Sequence, residues 1–403
     1  MWPGKLLAEW SGPVQLGVVT ERLILGYGVD RVVHETARRL VALGYDVTVF
    51  ALNIDGTYVD APYRVVNLAR LRKPEFGLED LGSVAFRELA LARLRSEVID
   101  LWLLQTPPFY SWAADLTAPV ICVEHGTPPG HFFSGPMGES LDAMTRHRFG
   151  VLYPALRLCD GVVAISTAIQ VAIQAGLPGP MRAELRKIYN GSDHHCRADP
   201  VAVAALRQEL GLREQDRLLL WMGRLDADPE QDHPYKGLMS FLKLAQRLRA
   251  RHPGLVCLAA GRGSEDAEPL LDRHGVLALR NVPDRQLGLL YAAADLLVNT
   301  SLWEGFNLPL VEAQAQGTPV IAYDCWSHPE VVANGLSGVL VATQAGPEGM
   351  EAAIEDLLTK PERLRELAAN AGPWAHSFRW DDNVMQLRQL IDCCLARAAN
   401  GGV

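Results

Sequence analysis

Two glutamates separated by seven residues, Glu304 and Glu312, lie in the segment of the sequence best suited to chemistry. The segment follows an apolar run that is typical of a buried strand. Asn307 is suited to the N-cap of a following helix, Pro309 to one of its first positions, and Gly317 to its end. The pattern therefore predicts a strand, a tight loop and a helix N-terminus at the carboxyl edge of a sheet, where open α/β folds bind ligands.

The start of this helix predicts a binding site for an anion. The backbone amides of Phe306, Asn307 and Leu308 would point at the ligand, for which a diphosphate is the obvious candidate. A neutral helix end cannot hold two phosphate charges alone, so basic side chains are needed. Arg224 follows another predicted strand, and Lys236 lies in the same connection. Since each charge-assisted contact contributes on the order of 1.5 to 3 kcal/mol, this set could stabilise a departing diphosphate.

Short apolar runs alternate with helical periodicity along the whole chain, which is typical of parallel sheets covered by helices on both faces. Strands are predicted in the first half at 14–19, 46–51, 99–104, 119–123, 162–165 and 187–189. A second series follows at 217–222, 255–260, 276–279, 296–299, 320–322 and 338–341. The two series predict an α/β protein with two Rossmann-like, doubly wound domains, 1–195 and 196–378. Residues 379–403 are predicted to form a helix that packs back towards the first domain.

Composition narrows the possible classes of function. The chain has 403 residues, a formal net charge of -9, 49% hydrophobic residues and 21% charged residues, which is the balance of a large globular protein. The acidic balance argues against nucleic-acid binding, which draws on clustered Lys and Arg. Seven scattered cysteines are unlike a secreted disulfide framework, and no apolar stretch is long enough to span a bilayer. We therefore predict a cytoplasmic protein, with a peripheral membrane contact left open by Arg70, Arg72 and Lys73.

Several motifs of the second half occur together in one order. They are Gly223-Arg224-Leu225 with Lys236-Gly237, Tyr291-Ala-Ala-Ala-Asp295, the Glu304 and Glu312 pair, Gly317-Thr-Pro319, His328-Pro-Glu330 and Gly338-Val-Leu-Val. As a set that covers most of residues 213 to 345, they resemble the retaining glycosyltransferases of GT-B fold in glycosyltransferase family 4. The resemblance implies two Rossmann-like domains that face each other across a cleft.

The resemblance also implies roles for the residues that match the family's motifs. Glu304 would contact hydroxyls of the donor sugar, and Glu312 would hold the nucleotide ribose. Arg224 and Lys236 would bind the diphosphate. Glu304, Arg224 and Lys236 are therefore assigned as catalytic, together with His125, which matches a family histidine that faces the transferring sugar. A histidine at a strand end can also simply satisfy a local backbone group, so His125 has a plainer interpretation as well.

The resemblance assigns donor binding to a wider set: Gly26, Gly28, Arg224, Lys236, Val282, Phe306, Asn307, Leu308 and Glu312. Gly26 and Gly28 lie where the family has adjacent glycines near the donor phosphate, and Tyr27 between them is a departure. The two glycines could equally be a turn before a helix. A second departure is Cys325-Trp326-Ser327, in place of a small, glycine-rich stretch, which could narrow the donor pocket.

The sequence does not predict a metal site. Asp226-Ala227-Asp228 imitates the Asp-x-Asp by which other glycosyltransferases bind a metal, but it lies in a polar loop that is better explained as solvated. His194, His195 and His233 have no partner at a spacing that demands a metal. We therefore expect no metal and no cofactor, because the donor is itself the nucleoside diphosphate sugar.

These features predict a retaining, metal-independent hexosyltransferase that moves a hexose from a UDP- or GDP-hexose to a hydroxyl acceptor, such as a saccharide or a lipid-linked glycan. The donor phosphate would assist deprotonation of the acceptor, so Glu304 and Glu312 need not be the acid and nucleophile of a glycosidase. One alternative is a sugar-nucleotide epimerase of the same fold, which would turn over the donor without an acceptor. Another is a catalytically silent subunit that binds the nucleotide sugar and transfers nothing.

Overall fold

The computed structural model describes residues 12–24, 26–56, 58, 60–71, 84–105, 109–126, 128–129, 132, 153–177, 179–181 and 183–400. Within these ranges the chain forms two compact units. The first comprises the described residues of Met1–Gly126, Arg146–Tyr189 and Trp380–Val403, and the second those of Thr127–Thr145 and Asn190–Arg379. The last segment of the chain thus belongs to the first unit.

The first unit is built on a seven-stranded parallel sheet with the order β3-β2-β1-β4-β5-β6-β7. Its strands are β1 (Gln15–Leu23), β2 (Asp46–Ile54), β3 (Arg64–Asn67), β4 (Leu101–Gln105), β5 (Val120–Glu124), β6 (Gly161–Ala164) and β7 (Glu184–Lys187). Its first helices are α1 (Gly28–Ala42), α2 (Val84–Arg95), α3 (Tyr153–Ala155) and α4 (Thr167–Gly176). The strand order reverses between β1 and β4, which makes their carboxyl ends the expected ligand-binding edge.

The second unit is built on a six-stranded parallel sheet with the order β10-β9-β8-β11-β12-β13. Its strands are β8 (Arg217–Leu225), β9 (Leu255–Gly263), β10 (Leu277–Arg280), β11 (Leu296–Val298), β12 (Val320–Asp324) and β13 (Gly338–Ala342). Its helices are α5 (Pro200–Glu209), α6 (Leu238–Arg251), α7 (Glu268–Arg273), α8 (Asp284–Ala293), α9 (Leu308–Ala315), α10 (His328–Val331), α11 (Gly346–Thr359) and α12 (Pro361–Ala375). Here the order reverses between β8 and β11, so the loops after these two strands meet at the switch point.

The last helix, α13 (Trp380–Ala399), packs against α1 within the first unit. Trp380 and Leu390 are fully buried, and burying an apolar side chain of this size contributes about 1.5 to 3 kcal/mol. Leu390 lies over β6, where a Cβ on Gly161 would come within 3.2 Å of its side chain. The glycine therefore lets the helix lie close to the sheet.

The predicted architecture of two doubly wound parallel sheets is confirmed, and the corrections concern the edges of the first sheet. β3 is absent from the predicted strands. The strand predicted at 187–189 lies instead at Glu184–Lys187, as β7. Both are edge strands whose residues are half-buried or exposed, so they lack the apolar run that marks a central strand.

No helix in the described ranges is both long and apolar enough to cross a membrane. Arg70 is exposed in the 3₁₀ helix Leu68–Leu71, whereas Arg72 and Lys73 lie outside the described residues. All seven cysteines lie within the described ranges, and each is a free thiol.

Candidate active site

In the second unit, the connection after β8 is joined to the segment after β11 by hydrogen bonds. The backbone N–H of Leu302 donates to the carbonyl of Tyr235 over 2.7 Å. The Thr300 hydroxyl donates to the Gly237 carbonyl at 2.8 Å and accepts from the indole N–H of Trp221 at 3.0 Å. These bonds hold the two loops together at the carboxyl edge of the sheet, where its strand order reverses.

Gly237 allows these two loops to approach so closely. Its φ is 71°, in the left-handed region that favours glycine. A Cβ at this position would lie only 2.3 Å from the carbonyl oxygen of Thr300. Lys236, the residue before it, ends the 3₁₀ helix Pro234–Lys236. The glycine therefore places Lys236 against the loop that carries Glu304.

Lys236 and Glu304 form an ion pair at the centre of this region. Lys236 Nζ donates to both carboxylate oxygens, at 2.8 and 3.0 Å. Burial lowers the pKa of Lys236, but the charge of Glu304 outweighs it and the pKa lies above its usual value. Arg224, the penultimate residue of β8, acts on the same amine, because its positive charge opposes protonation of Lys236 and lowers the pKa of Lys236. Two cations and one carboxylate thus converge at the switch point.

Three aromatic rings, those of Tyr235, Trp303 and Trp326, pack together at the loop that carries Glu304. Trp303 lies edge-on to both Tyr235 and Trp326, with ring centroids 5.9 Å apart in each pair. Trp326 is 40% exposed and has a φ of 48°, a left-handed conformation that is strained for a bulky residue. The hydroxyl of the next residue, Ser327, donates to the Glu304 carbonyl at 3.0 Å. The Cys325-Trp326-Ser327 stretch therefore places the ring of Trp326 against Trp303, the residue before Glu304.

Asn307 lies at the N-cap position of α9, but the prediction that it caps the helix is wrong for its side chain. Its backbone is left-handed, with φ and ψ both 71°, and its side chain makes no capping bond. Asn307 Nδ2 instead lies 3.0 Å from Nε2 of His328, whose Nδ1 lies 2.7 Å from the Tyr323 carbonyl. The ring therefore donates from Nδ1 and accepts at Nε2. Burial lowers the pKa of His328, which keeps the ring neutral.

The start of α9 presents backbone, not side chains, to a ligand. Phe306 and Leu308 are 3% and 8% exposed, and the Phe306 ring packs edge-on to Phe378 with centroids 5.8 Å apart. Pro309 occupies an early helical position, as predicted. Gly317 follows the helix with a φ of 87°, in agreement with its predicted role in ending it. Any contact of Phe306 or Leu308 with an anion would therefore come from the amide.

Glu312, the second carboxylate, lies on α9 and has partners of its own. The Tyr291 hydroxyl donates to Oε2 at 2.6 Å, and His194 Nε2 lies 3.1 Å from Oε1. Burial raises the pKa of Glu312, but the contacts with His194, His195 and Tyr291 outweigh burial and lower the pKa to about 2. The carboxylate is therefore ionised at neutral pH and can only accept hydrogen bonds.

The loop that carries the two histidines is fixed on α8 and α9. The Gln316 side chain accepts from the backbone N–H of Ala198 at 2.9 Å and donates to the Cys196 carbonyl at 3.2 Å. Gly288 leaves room for the loop, since a Cβ there would lie 3.1 Å from the Cβ of His195. These contacts hold the histidines at a set distance from Glu312.

His194, His195 and Glu312 are also the one group found in the described ranges that could hold a metal ion. Their ligand atoms lie within 4.8 Å of one another. Two histidines and a glutamate are a ligand set that zinc accepts. Sequence spacing did not indicate this group, because Glu312 is distant in the chain from both histidines. Asp226, by contrast, pairs with His233 Nδ1 at 2.9 Å and joins no such group among the described residues.

Val282 lies apart from the converging groups. It is half-buried in the connection between β10 and α8. None of the described contacts joins it to Arg224, Lys236 or either glutamate. Its assignment to donor binding therefore remains a prediction.

In the first unit, His125 directly follows β5 and is buried. Its Nε2 lies 2.8 Å from Gln105 Oε1, at the end of the neighbouring strand β4. Burial lowers the pKa of His125 to about 4, so the imidazole is neutral at pH 7. The adjacent Glu124 accepts hydrogen bonds from the Tyr110 hydroxyl and from the backbone N–H of Gly126. The end of β5 is thus held by side chains of its own unit.

Gly26 and Gly28 flank the start of α1. Gly26 has a φ of 95°, which glycine adopts readily, and Gly28 is the first residue of the helix. Tyr27 between them is extended, and the guanidinium of Arg22 lies 4.1 Å from the centroid of its ring. Gly26 therefore meets the conformational need of a turn at the end of β1.

A separate pocket of about 460 Å³ lies beyond the carboxyl ends of β2 and β3. Its lining residues are Ile54, Gly56, Tyr58, Tyr63, Val65, Asn67 and Arg70. His34 stacks on Tyr58 with ring centroids 4.5 Å apart, and its Nδ1 lies 2.8 Å from the Tyr63 hydroxyl. The pocket therefore combines aromatic faces, polar groups and one cation.

The second unit thus brings Arg224, Lys236 and Glu304 to one sheet edge, with the start of α9 on the same loop. Glu312 lies further along α9 in a cluster of its own. The histidines and the tyrosine of these networks were not among the predicted site residues: His194, His195, Tyr291 and His328. Tyr291 and His328 occur in the quoted motifs, so a signal for them existed, whereas His194 had none.

Two family models match the chain, one in each half. Residues 27–195 match the model described as Glycosyltransferase Family 4. Residues 203–374 match the model described as Glycosyl transferases group 1. Together the matches include all the predicted site residues except Gly26.

Among curated relatives, a D-inositol 3-phosphate glycosyltransferase of Segniliparus rotundus is 36% identical over 44% of this chain and 40% of its own length. The protein of the same name from Thermobispora bispora is 33% identical over 49% of this chain and 48% of its own length. The chain therefore spans less than half the length of these relatives. A glycogen synthase of Mycobacterium tuberculosis is 28% identical over 91% of this chain and 88% of its own length.

Solved structures with the same fold extend over nearly the whole chain. HepE of Anabaena, in complex with UDP and glucose, has a TM-score of 0.75 at 20% identity, covering 94% of this chain and 100% of its own. A sucrose-phosphate synthase from Thermosynechococcus elongatus has a TM-score of 0.77 at 20% identity, covering 95% and 99%. At this identity the likeness establishes the fold alone.

Proposed function

Because the chain belongs to the GT-B glycosyltransferases of glycosyltransferase family 4, we propose that it transfers a hexose from a nucleoside diphosphate sugar to a hydroxyl acceptor. The transfer retains the anomeric configuration and requires no metal. The donor is a UDP- or GDP-hexose, and the acceptor is a saccharide or a lipid-linked glycan. HepE has been solved with UDP-glucose, which makes this nucleotide sugar the first donor to test.

The observation that carries this proposal is the convergence of Arg224, Lys236 and Glu304 at the start of α9. Lys236 is already held by two hydrogen bonds to Glu304, so little reorganisation is needed when a diphosphate arrives. Fixed cations and helix amides aimed at a developing charge are the largest single source of catalysis in many enzymes. The arrangement suits a reaction whose leaving group is a diphosphate.

In the proposed reaction, the bond between the anomeric carbon and the phosphate oxygen breaks, and its electron pair remains on the nucleoside diphosphate. The acceptor oxygen forms the new bond to the same face of that carbon. The acceptor proton passes to a phosphate oxygen of the donor. Arg224 and Lys236 stabilise the negative charge on the leaving group, and Glu304 orients the hydroxyls of the sugar.

The test begins with a thermal-shift screen over UDP- and GDP-hexoses, since a ligand that binds only the folded state raises its melting temperature. The selected donor is then incubated with saccharide acceptors in the presence of EDTA, and the anomeric configuration of the product is read by proton NMR. We expect a retained configuration and unchanged rates in EDTA. An inverted product, loss of transfer in EDTA, or conversion of the donor sugar without any acceptor would contradict the proposal.

His125 contributes to the proposed reaction only through a neutral imidazole. Its pKa of about 4 means that transfer should show no titration of this residue between pH 6 and 8. We expect His125→Gln, which keeps a hydrogen-bond donor, to retain more transfer than His125→Leu at every pH in this range. A loss of transfer with a midpoint near pH 6.5 that disappears in the His125→Gln variant would contradict this role.

A further inference from the structure

The carboxylate of Glu312 is held from two sides by residues of different elements. Tyr291, on α8, donates its hydroxyl to Oε2 at 2.6 Å. His194, on the loop before α5, brings Nε2 to 3.1 Å from Oε1. His194 and Glu312 are nearly inaccessible at the side chain, with 1% and 9% exposed. A carboxylate that is fixed on both oxygens cannot rotate freely, so its remaining acceptor directions are fixed as well.

An ionised carboxylate offers about four acceptor sites, two on each oxygen. The Tyr291 hydroxyl takes one of the sites on Oε2, and the imidazole of His194 lies against Oε1. Acceptor sites therefore remain on both oxygens for a ligand, in the plane of the carboxylate. Two neighbouring hydroxyl donors, such as those of a vicinal diol, match this arrangement.

We propose that His194 and Tyr291 are positioning residues that aim Glu312 at the 2′- and 3′-hydroxyls of the donor's ribose, so that the site selects ribonucleotides over deoxyribonucleotides. The inference rests on the proposed function, in which Glu312 holds the ribose. It adds two residues that do not themselves touch the nucleotide. Because the selection comes from a fixed geometry, loss of either contact lets the carboxylate of Glu312 rotate and weakens recognition of the diol, although the charge of Glu312 remains.

Contacts of the loop that carries His194 fix the position of this residue, although it lies outside the sheet and its helices. Gln316 binds the backbone of the loop at both Ala198 and Cys196. His195 packs with its ring centroid 4.2 Å from that of His194, which restricts rotation of the imidazole. The position of His194 is therefore set by α9, the same helix that carries Glu312.

The test measures the ratio of two dissociation constants by calorimetry. UDP and GDP are titrated, and the one that binds is compared with its 2′,3′-dideoxy analogue. Loss of both hydroxyl contacts should weaken wild-type binding by tenfold or more, on the order expected for charge-assisted hydrogen bonds. His194→Leu and Tyr291→Phe should each move the ratio towards one, because each variant binds the ribonucleotide more weakly and binds the dideoxy analogue as the wild type does. His194→Gln keeps a donor and should keep most of the ratio, and His376→Leu, at an exposed histidine after α12, should leave it unchanged.

Each result supports or overturns the inference. A wild-type ratio near one, or a ratio that His194→Leu and Tyr291→Phe leave intact, overturns it while the proposed function stands. A ratio that collapses in EDTA also overturns it, because a metal bound to the histidines would then make the contact. Failure of every nucleoside diphosphate to bind would instead contradict the proposed function. Melting temperatures of the variants, measured without ligand, separate a loss of folding from a loss of recognition.

Discussion

The two carboxylates of the motif are separated by seven residues, yet their surroundings differ in kind. Glu304 lies on a loop and is paired with a cation, Lys236, whose protonation the charge of Arg224 opposes. Glu312 lies within a helix and is held by a phenol and a histidine. The first region carries preorganised charges of both signs, suited to a reaction in which charge develops. The second region carries fixed hydrogen-bond geometry suited to recognition of a neutral group.

The start and the body of α9 thus have different surroundings. In the proposed reaction, the loop before α9 brings Glu304 to Lys236, beside the departing diphosphate, whereas the body of α9 carries Glu312, which binds the nucleotide ribose. Changes in the Glu304 region should therefore act mainly on the turnover number. Changes in the Glu312 region should act mainly on donor affinity.

The largest effect is expected from Lys236→Ala. Removing a preorganised charge from a leaving-group site costs about 100- to 1,000-fold in turnover number. The matched control is Lys243→Ala, which removes an exposed lysine that pairs with Glu230 and should cost little. Steady-state kinetics at saturating donor measure both variants. Equal turnover numbers for Lys236→Ala and Lys243→Ala would contradict the proposed role of the Glu304 region in turnover.

Glu312→Gln should weaken donor binding by about 10- to 100-fold, because an ionised acceptor is replaced by a neutral one. The turnover number at saturating donor should change much less. Calorimetry with the nucleoside diphosphate and kinetics with the nucleotide sugar together separate the two effects. A fall in turnover as large as that of Lys236→Ala would show that the carboxylates act alike.

Gly237→Ala should destabilise the fold by about 1 to 3 kcal/mol and reduce transfer, because it combines a left-handed backbone with a clash. Gly211→Ala is the control, since Gly211 has a φ of 73° but open space around its Cβ position. Urea denaturation of both variants measures the difference. If the two glycines tolerate alanine equally, the close approach of Lys236 to the Thr300 loop does not depend on Gly237.

The smallest effect is expected from Gln316→Leu, which releases the histidine loop without touching Glu312. Donor affinity should fall a few-fold, as the loss of one or two ordinary hydrogen bonds predicts, and the turnover number should stay near its wild-type value. Gln286→Leu, at an exposed glutamine of α8, controls for the change in side-chain type. If the turnover number falls more than donor affinity, the loop that carries His194 contributes to turnover, as the Glu304 region is expected to do.

Much of this site was visible in the sequence, because local patterns determine it. Short-range patterns predict the strand before the loop, the position of Pro309 early in α9 and the position of Gly317 after its end. They also place Arg224 and Lys236 in the connection after a predicted strand. The side chain of Asn307 was mispredicted because a left-handed backbone turns it towards His328. Tertiary packing brings His328 to Asn307, and the spacing of residues in the sequence does not predict this contact.

Dependence on tertiary packing also explains why sequence patterns did not indicate the role of His194. His194 meets Glu312 only because Gln316 holds its loop on α9, and residues so distant in sequence show no shared pattern. The edge strands β3 and β7 were missed or displaced because half-buried strands carry no continuous apolar run. In the first unit, the turn at Gly26 fits its local pattern, whereas the burial of His125 against Gln105 depends on a neighbouring strand.

The most direct test of the account is a crystal structure with the nucleoside diphosphate that gives the largest thermal shift. We expect diphosphate oxygens within hydrogen-bond distance of Lys236 Nζ and the Arg224 guanidinium, next to the start of α9. We also expect the ribose hydroxyls to bind the carboxylate of Glu312. A diphosphate bound away from Lys236 and Arg224 would show that these two cations do not stabilise the leaving group.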